Sequence, residues 1–460
     1  MTASAVLSSD VPRLATRTRT LRCGLRVVIH PDDSAPQTAV SVWYRVGSSD
    51  ERADRTGFAH LFEHLFKSSP ERLGGHHYEV LRRAGASEAN ASTSADRTAY
   101  HEVVPAHQLE LALWLESDRM GYFARDFDRE RLVTQQSVVR AERRQRYEDV
   151  PYGAERFAVA LALYPEGHPL RHLTIGRHAD IQAATVEDVL AFYRTWYVPA
   201  NATLVIAGAV PPGVDALVDR YFGSFPESRR PVRPVPAPVT RPSEHGTGRA
   251  AGPVGAYLVA DAICDVPESV PDVVVDRFAA LGRIHRAWLG PVAFGDGEPE
   301  LDIVTAAWTA VGTGPLWRRL VYETQLAQRV SAWTTNGRLG GEAHVAIDLR
   351  SGADPAAVRA ILDEECRAAV GERAVERAIT RREASAIWAL TGLARRASLI
   401  QRHMLYRDQP DGLADDLARY RGVTPASIQR ALAAWLDPAG QVEIETVAAP
   451  ARPAQVTALE

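Results

Sequence analysis

The chain has 460 residues, of which 46% are apolar and 24% charged, and its formal net charge is −4. This composition is that of an ordinary globular protein, too long for one core and suited to two domains of about 200 residues each. The slight negative charge argues against a nucleic-acid partner, and no apolar run reaches the roughly 18 residues that a membrane span requires.

The first predicted elements are strands. Residues 25–29 read as the first strand of the chain and residues 39–46 as the next, while residues 108–118 have the pattern of a long helix. Strands followed by helices favour an α+β fold, in which helices pack on antiparallel or mixed sheets.

The most informative segment is the H-x-x-E-H motif of His60, Glu63 and His64, which is the inverzincin signature. On a helix, histidines four positions apart project to one face, an arrangement that suits two zinc ligands with a general base between them. Apolar residues at helical spacing give the segment a stripe that can pack inward (Phe58, Leu61, Phe62 and Leu65). A proline in the stretch 68–70 predicts the end of this helix. The alternative is a helix with two partly buried structural histidines.

A catalytic zinc site needs a third protein ligand and leaves its fourth position to water. The best candidate is Glu142, in a charged helical stretch that must be a different helix because it lies far from His64 in the chain. The motif and this Glu-Arg-Arg-Gln helix resemble the pitrilysin, insulysin and mitochondrial processing peptidase family, and within it a short two-domain member of bacterial type. The resemblance implies His60, His64 and Glu142 as ligands of one zinc ion per chain, with Glu63 as general base.

The resemblance covers most of residues 20–225. Residues 85–100 look like the Asn-Ala segment of the family and its edge strand, whose unpaired N–H and C=O groups can bind a peptide main chain. The implied substrate-binding residues are Asn90 and Ala91, although Asn90 taken alone would be an ordinary turn residue. Gln135 stands where many family members carry a second glutamate, and we expect it at most to orient its neighbours.

An internal repeat predicts the architecture. In each half a threonine is followed by a tryptophan and then a proline at the same spacing (Thr185, Trp196, Pro199 and Thr424, Trp435, Pro438). Each threonine would cap a helix that leads into a β-rich run, at residues 202–207 and 442–447. We therefore predict two homologous α/β-sandwich domains that arose by duplication. The metal-bearing domain would span residues 1–225, a stiff Pro-rich linker 226–245, and a domain without the metal motif 246–460.

The second half departs from the family pattern. Val321 and Gln328 stand where family members carry an arginine and a tyrosine that hold the substrate and the oxyanion. Valine has no donor, and glutamine is a weaker and shorter one than a phenol. The resemblance therefore implies a heterodimer with a paralogous subunit that lacks H-x-x-E-H and supplies the arginine and the tyrosine, unless Arg318, Arg319 or Tyr322 replaces them in cis.

Two functions follow from these patterns. The first is a zinc metalloendopeptidase that hydrolyses short or unfolded peptides, such as leader or targeting peptides, in an enclosed chamber. The second is a non-catalytic scaffold or peptide-binding subunit that has kept the peptidase fold. The intact motif favours the first, and Val321 and Gln328 keep the second open. A His–His–Glu donor set does not by itself distinguish zinc from manganese or cobalt.

The remaining features predict ordinary structure. His76 and His77 are adjacent, so their side chains point apart and a surface loop is expected. Three tryptophans of the second half are expected to fill its core (Trp308, Trp317 and Trp333). The three cysteines have neither metal nor disulfide spacing, as in proteins of a reduced compartment (Cys23, Cys264 and Cys366). With no signal-peptide pattern at the N-terminus, we expect a cytoplasmic protein.

Overall fold

Two six-stranded sheets organise the part of the chain that the computed structural model describes, namely residues 11–67, 72–73, 75–233, 236, 257–258 and 273–449. The strands of the first sheet are β1 Arg17–Thr20, β2 Arg26–Pro31, β3 Gln37–Tyr44, β4 Glu88–Thr93, β5 Thr98–Pro105 and β6 Ala202–Gly208. Those of the second sheet are β7 Tyr257–Leu258, β8 Val273–Asp276, β9 Arg283–Gly290, β10 Ala327–Asn336, β11 Gly341–Leu349 and β12 Val442–Ala448. Much of the predicted linker, Cys264 and the helix end predicted at 68–70 lie outside the described residues.

The two sheets have the same strand order. The first reads β1-β2-β6-β3-β5-β4, and the second, taken from the corresponding edge, reads β7-β8-β12-β9-β11-β10. In each sheet the last strand of the half runs parallel to the second strand and antiparallel to the third. The halves differ at one edge, where β1 is antiparallel to β2 but β7 is parallel to β8. The predicted α+β fold with an internal duplication is confirmed.

Helices surround both sheets. The described helices of the first half are α1 Phe58–Lys67, α2 His77–Arg83, α3 Leu109–Tyr122, α4 Arg129–Arg143, α5 Gly153–Leu163, α6 His178–Ala183, α7 Val186–Trp196 and α8 Val214–Phe222. Those of the second half are α9 Glu298–Trp308, α10 Pro315–Trp317, α11 Pro355–Arg367, α12 Glu372–Ala389, α13 Leu393–Arg407, α14 Leu413–Arg421 and α15 Pro425–Trp435. Two π-helical turns continue α4 and α10, over Arg144–Glu148 and Arg318–Glu323. Among the described residues, no helix combines the length and apolarity needed to cross a bilayer.

The repeated threonines begin equivalent helices. Thr185 accepts the amide of Asp188 at the start of α7, and Thr424 accepts the amide of Ser427 at the start of α15, each in a reciprocal capping box. Such a cap satisfies amides that have no partner inside the helix. The sequence spacing therefore locates the start of the helix that precedes the last strand in each half.

The strand over residues 25–29 is not the first of the chain. It lies within β2, and β1 precedes it and pairs with it in an antiparallel ladder. The sequence of β1 is Arg-Thr-Arg-Thr, without the apolar alternation that marks a half-buried strand. Its contacts are instead tertiary, because its backbone pairs with β2 and Arg17 and Arg19 form ion pairs with Asp215 and Asp219 of α8.

Each half covers one face of the sheet in the other half. Helix α5 of the first half packs on β9 and β12, and α13 of the second half packs on β3 and β6. Gln401 of α13 is buried and donates to the carbonyls of Ser41 and Thr203, both at 2.8 Å. The two halves thus share apolar cores as well as hydrogen bonds.

The α13 contact predicts a large stability effect at Ile400, whose side chain is fully buried against the first sheet. Replacement by alanine should lower the free energy of unfolding by about 2–5 kcal/mol, because it removes apolar contacts and leaves a cavity. Ile387→Ala is the matched control, because Ile387 lies on α12 and is 46% exposed. This substitution should lower the free energy of unfolding by less than about 1 kcal/mol. Urea unfolding of both variants measures the difference, and equal losses would contradict the burial of Ile400 against the first sheet.

Two predicted positions are wrong. His77 is not in a surface loop, because it begins α2 and is 2% exposed beside the buried ion pair of Glu116 and Arg119. Trp333 does not fill the core, because it is 39% exposed on β10 and stacks on His344 at a ring-centroid distance of 4.8 Å. Trp308, by contrast, is fully buried.

Candidate metal centre

Helix α1 carries the H-x-x-E-H motif on its polar face. Its apolar side chains are buried, and Phe62 stacks on Tyr197 with ring centroids 3.9 Å apart. This packing fixes the rotation of the helix, so His60 and His64 face α4 with their ring centroids 4.8 Å apart. The helical spacing therefore brings the two imidazoles to one face of α1, and the packing of the apolar stripe turns that face toward α4.

Glu142 reaches the same place from the last turn of α4. Its Oε2 lies 3.0 Å from His64 Nε2 and 3.6 Å from His60 Nε2. The potential ligand atoms of the three residues all lie within 4.8 Å of one another. Arg146, one turn further on, lies 2.9 Å from the other carboxylate oxygen, Oε1, so Oε2 is the oxygen that faces the imidazoles.

The spacing of these donors fits a zinc ion. Zinc binds imidazole nitrogen and carboxylate oxygen at about 2.0–2.2 Å in tetrahedral sites, which places neighbouring ligand atoms roughly 3.4 Å apart. The two separations from Glu142 Oε2, 3.0 and 3.6 Å, bracket this value. His60, His64 and Glu142 are therefore the residues that would hold the metal.

Burial favours the neutral form of both imidazoles. Burial, followed by the charge of the neighbouring His64, lowers the pKa of His60 to about 4. Burial also lowers the pKa of His64, although the nearby Glu142 and Glu63 act in the opposite direction. Because a histidine must be unprotonated to bind a metal, the site is prepared for binding at neutral pH.

The same pKa shift predicts acid sensitivity of the metal-free chain. The His60 pKa falls from about 6.5 in the unfolded chain to about 4 in the folded one. Between these values the unfolded state binds more protons, so the free energy of unfolding should decrease as the pH drops from about 6.5 to about 4. For one group the slope is at most about 1.4 kcal/mol per pH unit.

Urea unfolding in the presence of a chelator, repeated across this pH range, checks the expectation. A His60→Asn variant should show a shallower pH dependence than the parent chain because it has one titrating imidazole fewer. Identical pH profiles for the two proteins would show that His60 is not a buried neutral group.

Glu63 is buried beside the histidines and is held by two neighbours. Thr93 Oγ1 donates to Glu63 Oε2 at 2.7 Å, and Lys67 Nζ lies 3.2 Å from Glu63 Oε1. Thr93 is the last residue of β4, so the candidate base contacts the strand that is expected to receive substrate. The sequence motif predicts the carboxylate, but it gives no sign of the threonine that orients it.

β4 lies at the edge of the first sheet and, among the described residues, pairs with β5 alone. Asn90 and Ala91 line a cavity of about 660 Å³ together with the histidines and Glu142. The amide of Ala91 donates to Asn90 Oδ1 at 2.9 Å. A peptide carbonyl that accepted a hydrogen bond from the Ala91 amide would first have to displace the Asn90 carboxamide.

The other candidate residues lie away from the cavity. Gln135 is half-buried two turns before Glu142 and is not among the described residues that line it. Arg318 lies 3.0 Å from Glu323, and Arg319 lies 2.8 Å from carboxylates of α11. Tyr322 is 71% exposed. None of these three side chains of the second half lines the cavity within the described part of the chain.

Solved structures show the fold. A protease from Helicobacter pylori superposes with a TM-score of 0.80 at 21% identity, over 95% of this chain and all of that one. A putative M16-like peptidase from Alicyclobacillus acidocaldarius gives 0.77 at 20% identity, over 96% of this chain and 99% of that one. At these identities the similarity is one of fold alone.

Sequence relatives cover about half of the chain. A zinc protease of Helicobacter pylori, PqqE, is 32% identical over 220 residues, or 47% of this chain and 49% of that protein. An uncharacterized zinc protease of Mycobacterium bovis is 34% identical over 252 residues, or 54% of each chain. The chain thus spans about half the length of these relatives in the alignments.

Two family models match the chain. Residues 26–156 match the insulinase model of peptidase family M16, and residues 183–251 match the model named peptidase M16 inactive domain. Together with the duplicated sheets, these matches define a peptidase fold. The matched residues identify the chain with the domains of peptidase family M16, the insulinase and pitrilysin family, and the resemblance described from the motif is confirmed.

Proposed function

We propose that this chain is a zinc metalloendopeptidase that cleaves short or unfolded peptides. The observation that carries the proposal is the convergence of His60, His64 and Glu142 within 4.8 Å, with the Glu63 carboxylate beside them at the end of an edge strand. A bound zinc ion would polarise the scissile carbonyl and lower the pKa of water. The names of the sequence relatives, which include zinc proteases, support this chemistry.

The residues of the chain have distinct tasks in this proposal. β4 binds an extended peptide through main-chain hydrogen bonds and so places its scissile bond beside α1. Glu63 accepts a proton from the attacking water and delivers it to the leaving amine. Thr93 and Lys67 hold the Glu63 carboxylate in place through the contacts described above.

We further propose that the chain works as the catalytic subunit of a heterodimer whose two subunits enclose the substrate. Val321 is half-buried on the core of the second half, and Gln328 is exposed on β10. They stand where the family resemblance requires an arginine and a tyrosine, and their side chains lack the guanidinium and the phenol. A paralogous subunit without H-x-x-E-H would supply both. Leader or targeting peptides are the proposed substrates, in line with a relative named stromal processing peptidase of Arabidopsis thaliana, 28% identical over 44% of this chain and 16% of that protein.

A second candidate function is that of a non-catalytic, peptide-binding scaffold. It is favoured by the same Val321 and Gln328, and by the match of residues 183–251 to the inactive-domain model. A scaffold would keep the edge strand β4 and bind peptides without cleaving them. The two candidates therefore differ in turnover and not in peptide binding.

Metal analysis combined with mass spectrometry of a peptide library tests the proposal. The chain should bind one zinc ion, and it should cleave library peptides when the paralogous subunit is added. Robust cleavage by the chain alone would contradict the heterodimer but keep the peptidase. Zinc binding without cleavage under either condition would favour the scaffold.

A further inference from the structure

Residues 172–180, which follow α5 and include the first turn of α6, contact both helices that carry the proposed metal ligands. His172, Gly176 and Asp180 contact residues at or just before the start of α1. Gly176 and His178 contact the end of α4 and the π-helical turn that continues it. They also form part of the cavity wall, through Thr174 and Ile175. The inference drawn from these contacts deepens the proposed function and rests on it.

The contact with α1 is made through a buried carboxylate. Glu51 Oε2 accepts the amide of Gly57 and Glu51 Oε1 accepts the amide of Ala59, both at 2.7 Å. His172 Nε2 lies 3.1 Å from Glu51 Oε2, and the Glu51 side chain is fully buried. A carboxylate at this end of a helix satisfies its first amides and complements its dipole. Glu51 therefore fixes the turn that carries His60 and is itself held by His172.

Gly176 and Asp180 also contact the residues just before α1. Gly176 has a positive φ of 70°, and a Cβ on it would lie 2.4 Å from Gly57 Cα and Gly57 N. Asp180 Oδ2 accepts the amide of Thr56 at 3.0 Å and its hydroxyl at 2.6 Å. The segment thus lies against the residues just before α1 so closely that a side chain at position 176 has no room.

The contact with α4 is made beside the proposed ligand Glu142. The guanidinium of the next residue, Arg143, donates to the carbonyl of Gly176, and its Nε donates to Glu148 Oε1 at 2.7 Å. His178 Nε2 lies 2.9 Å from the same Glu148 oxygen. Residue 176 therefore touches both sides, α4 through its carbonyl and the start of α1 through its Cα.

We propose that residues 172–180 act as a brace that sets the separation of α1 and α4 and so preorganises the metal site, with Glu51, His172, Gly176 and His178 as positioning residues. Two of the ligands come from one helix and the third from the other, so a shift between the helices of a few tenths of an ångström changes the donor geometry. Such supporting interactions typically contribute a factor of about 10–100 in metal affinity.

Gly176→Ala tests the brace, and Gly167→Ala is its matched control. Gly167 also has a positive φ, of 77°, but a Cβ there would meet no heavy atom within 4 Å. Both variants strain the backbone in the same way, and Gly176→Ala alone pushes against α1. With Co²⁺ as the spectroscopic probe of the full chain, we expect Gly176→Ala to bind about 10–100-fold more weakly and to show an altered visible spectrum. Gly167→Ala should bind as the parent does.

Two results with the glycine variants in the Co²⁺ assay would overturn the brace. One is parental Co²⁺ affinity and spectrum in a folded Gly176→Ala chain, and the other is equal weakening in both glycine variants. If Gly176→Ala does not fold, Glu51→Gln decides in the same assay, with Asp354→Asn as its control. Asp354 caps α11 in the second half by accepting the Ala356 amide at 2.9 Å. Weakened Co²⁺ binding in Glu51→Gln alone supports the brace, and parental binding overturns it.

Amide hydrogen exchange separates this proposal from the proposed function. In the metal-free chain, the amides at the start of α1 should exchange faster in Gly176→Ala than in Gly167→Ala, because the brace acts before metal binds. If the parent chain binds no Co²⁺, the proposed function fails, and faster exchange in Gly176→Ala still supports the brace. Unchanged exchange would overturn the brace even in an active enzyme.

Discussion

Glu63→Gln should abolish peptide hydrolysis, with a loss of about 10²–10⁴-fold or more in turnover, while the chain still binds zinc. A glutamine amide fits the space between Thr93 and Lys67 and can still accept the Thr93 hydrogen bond. It cannot take a proton from water at neutral pH, so the proposed base is lost without loss of the ligands. Turnover of a library-derived peptide, with the paralogous subunit added, and metal content are measured on the same preparation of each variant.

The control for this variant is Glu110→Gln. Glu110 lies in the first turn of α3, where it accepts hydrogen bonds from Arg220 and Tyr221 at the surface. Its replacement removes one carboxylate from the same domain without touching the cavity and should leave turnover unchanged. An active Glu63→Gln protein would refute the assignment of the base.

Glu142→Ala should have the largest effect on metal binding. The variant keeps both imidazoles but loses the only proposed ligand that comes from α4. The zinc affinity should fall by more than the roughly 10–100-fold that the loss of a supporting residue costs. Competition with a chelator of known affinity measures the change.

Arg146→Gln distinguishes the effect of losing the Glu142 carboxylate from the effect of losing its ion pair with Arg146. Arg146 lies 2.9 Å from Glu142 Oε1, and its side chain is 69% exposed. Removing this contact should weaken zinc binding far less than removing the Glu142 carboxylate, because the ion pair is solvent-screened. Zinc binding by Glu142→Ala at the parental affinity would mean that these three residues do not form a metal site.

Local patterns explain how much of the site could be predicted. The four-residue spacing of His60 and His64 fixes their shared face on any helix, and the apolar stripe of α1 decides which face turns inward. Neither pattern states where α4 will lie. The position of Glu142 followed from the family resemblance, and no local rule places Thr93 or the 172–180 segment at the site.

The wrong predictions for the first strand and for His77 have the same origin. β1 consists of alternating arginine and threonine, yet it pairs with β2 and its arginines form ion pairs with α8, contacts that local patterns do not record. His77 is buried because Glu116 and Arg119 of α3 lie beside it. In both cases a distant part of the chain overrides the local preference, whereas the capped helices at Thr185 and Thr424 depend only on their own turns.

α5 of the first half packs on the second sheet, and α13 of the second half packs on the first sheet. This arrangement determines how the two halves separate and unfold. If the first half were produced alone, Val28, Ala39 and Val205 would lose the helix that covers them, and the second half would likewise lose its cover over Ala287 and Val442. Such bare sheet faces are prone to aggregate. A protease that nicks the connection between the halves would therefore leave them associated, and the pair would unfold as one cooperative unit despite its duplicated origin.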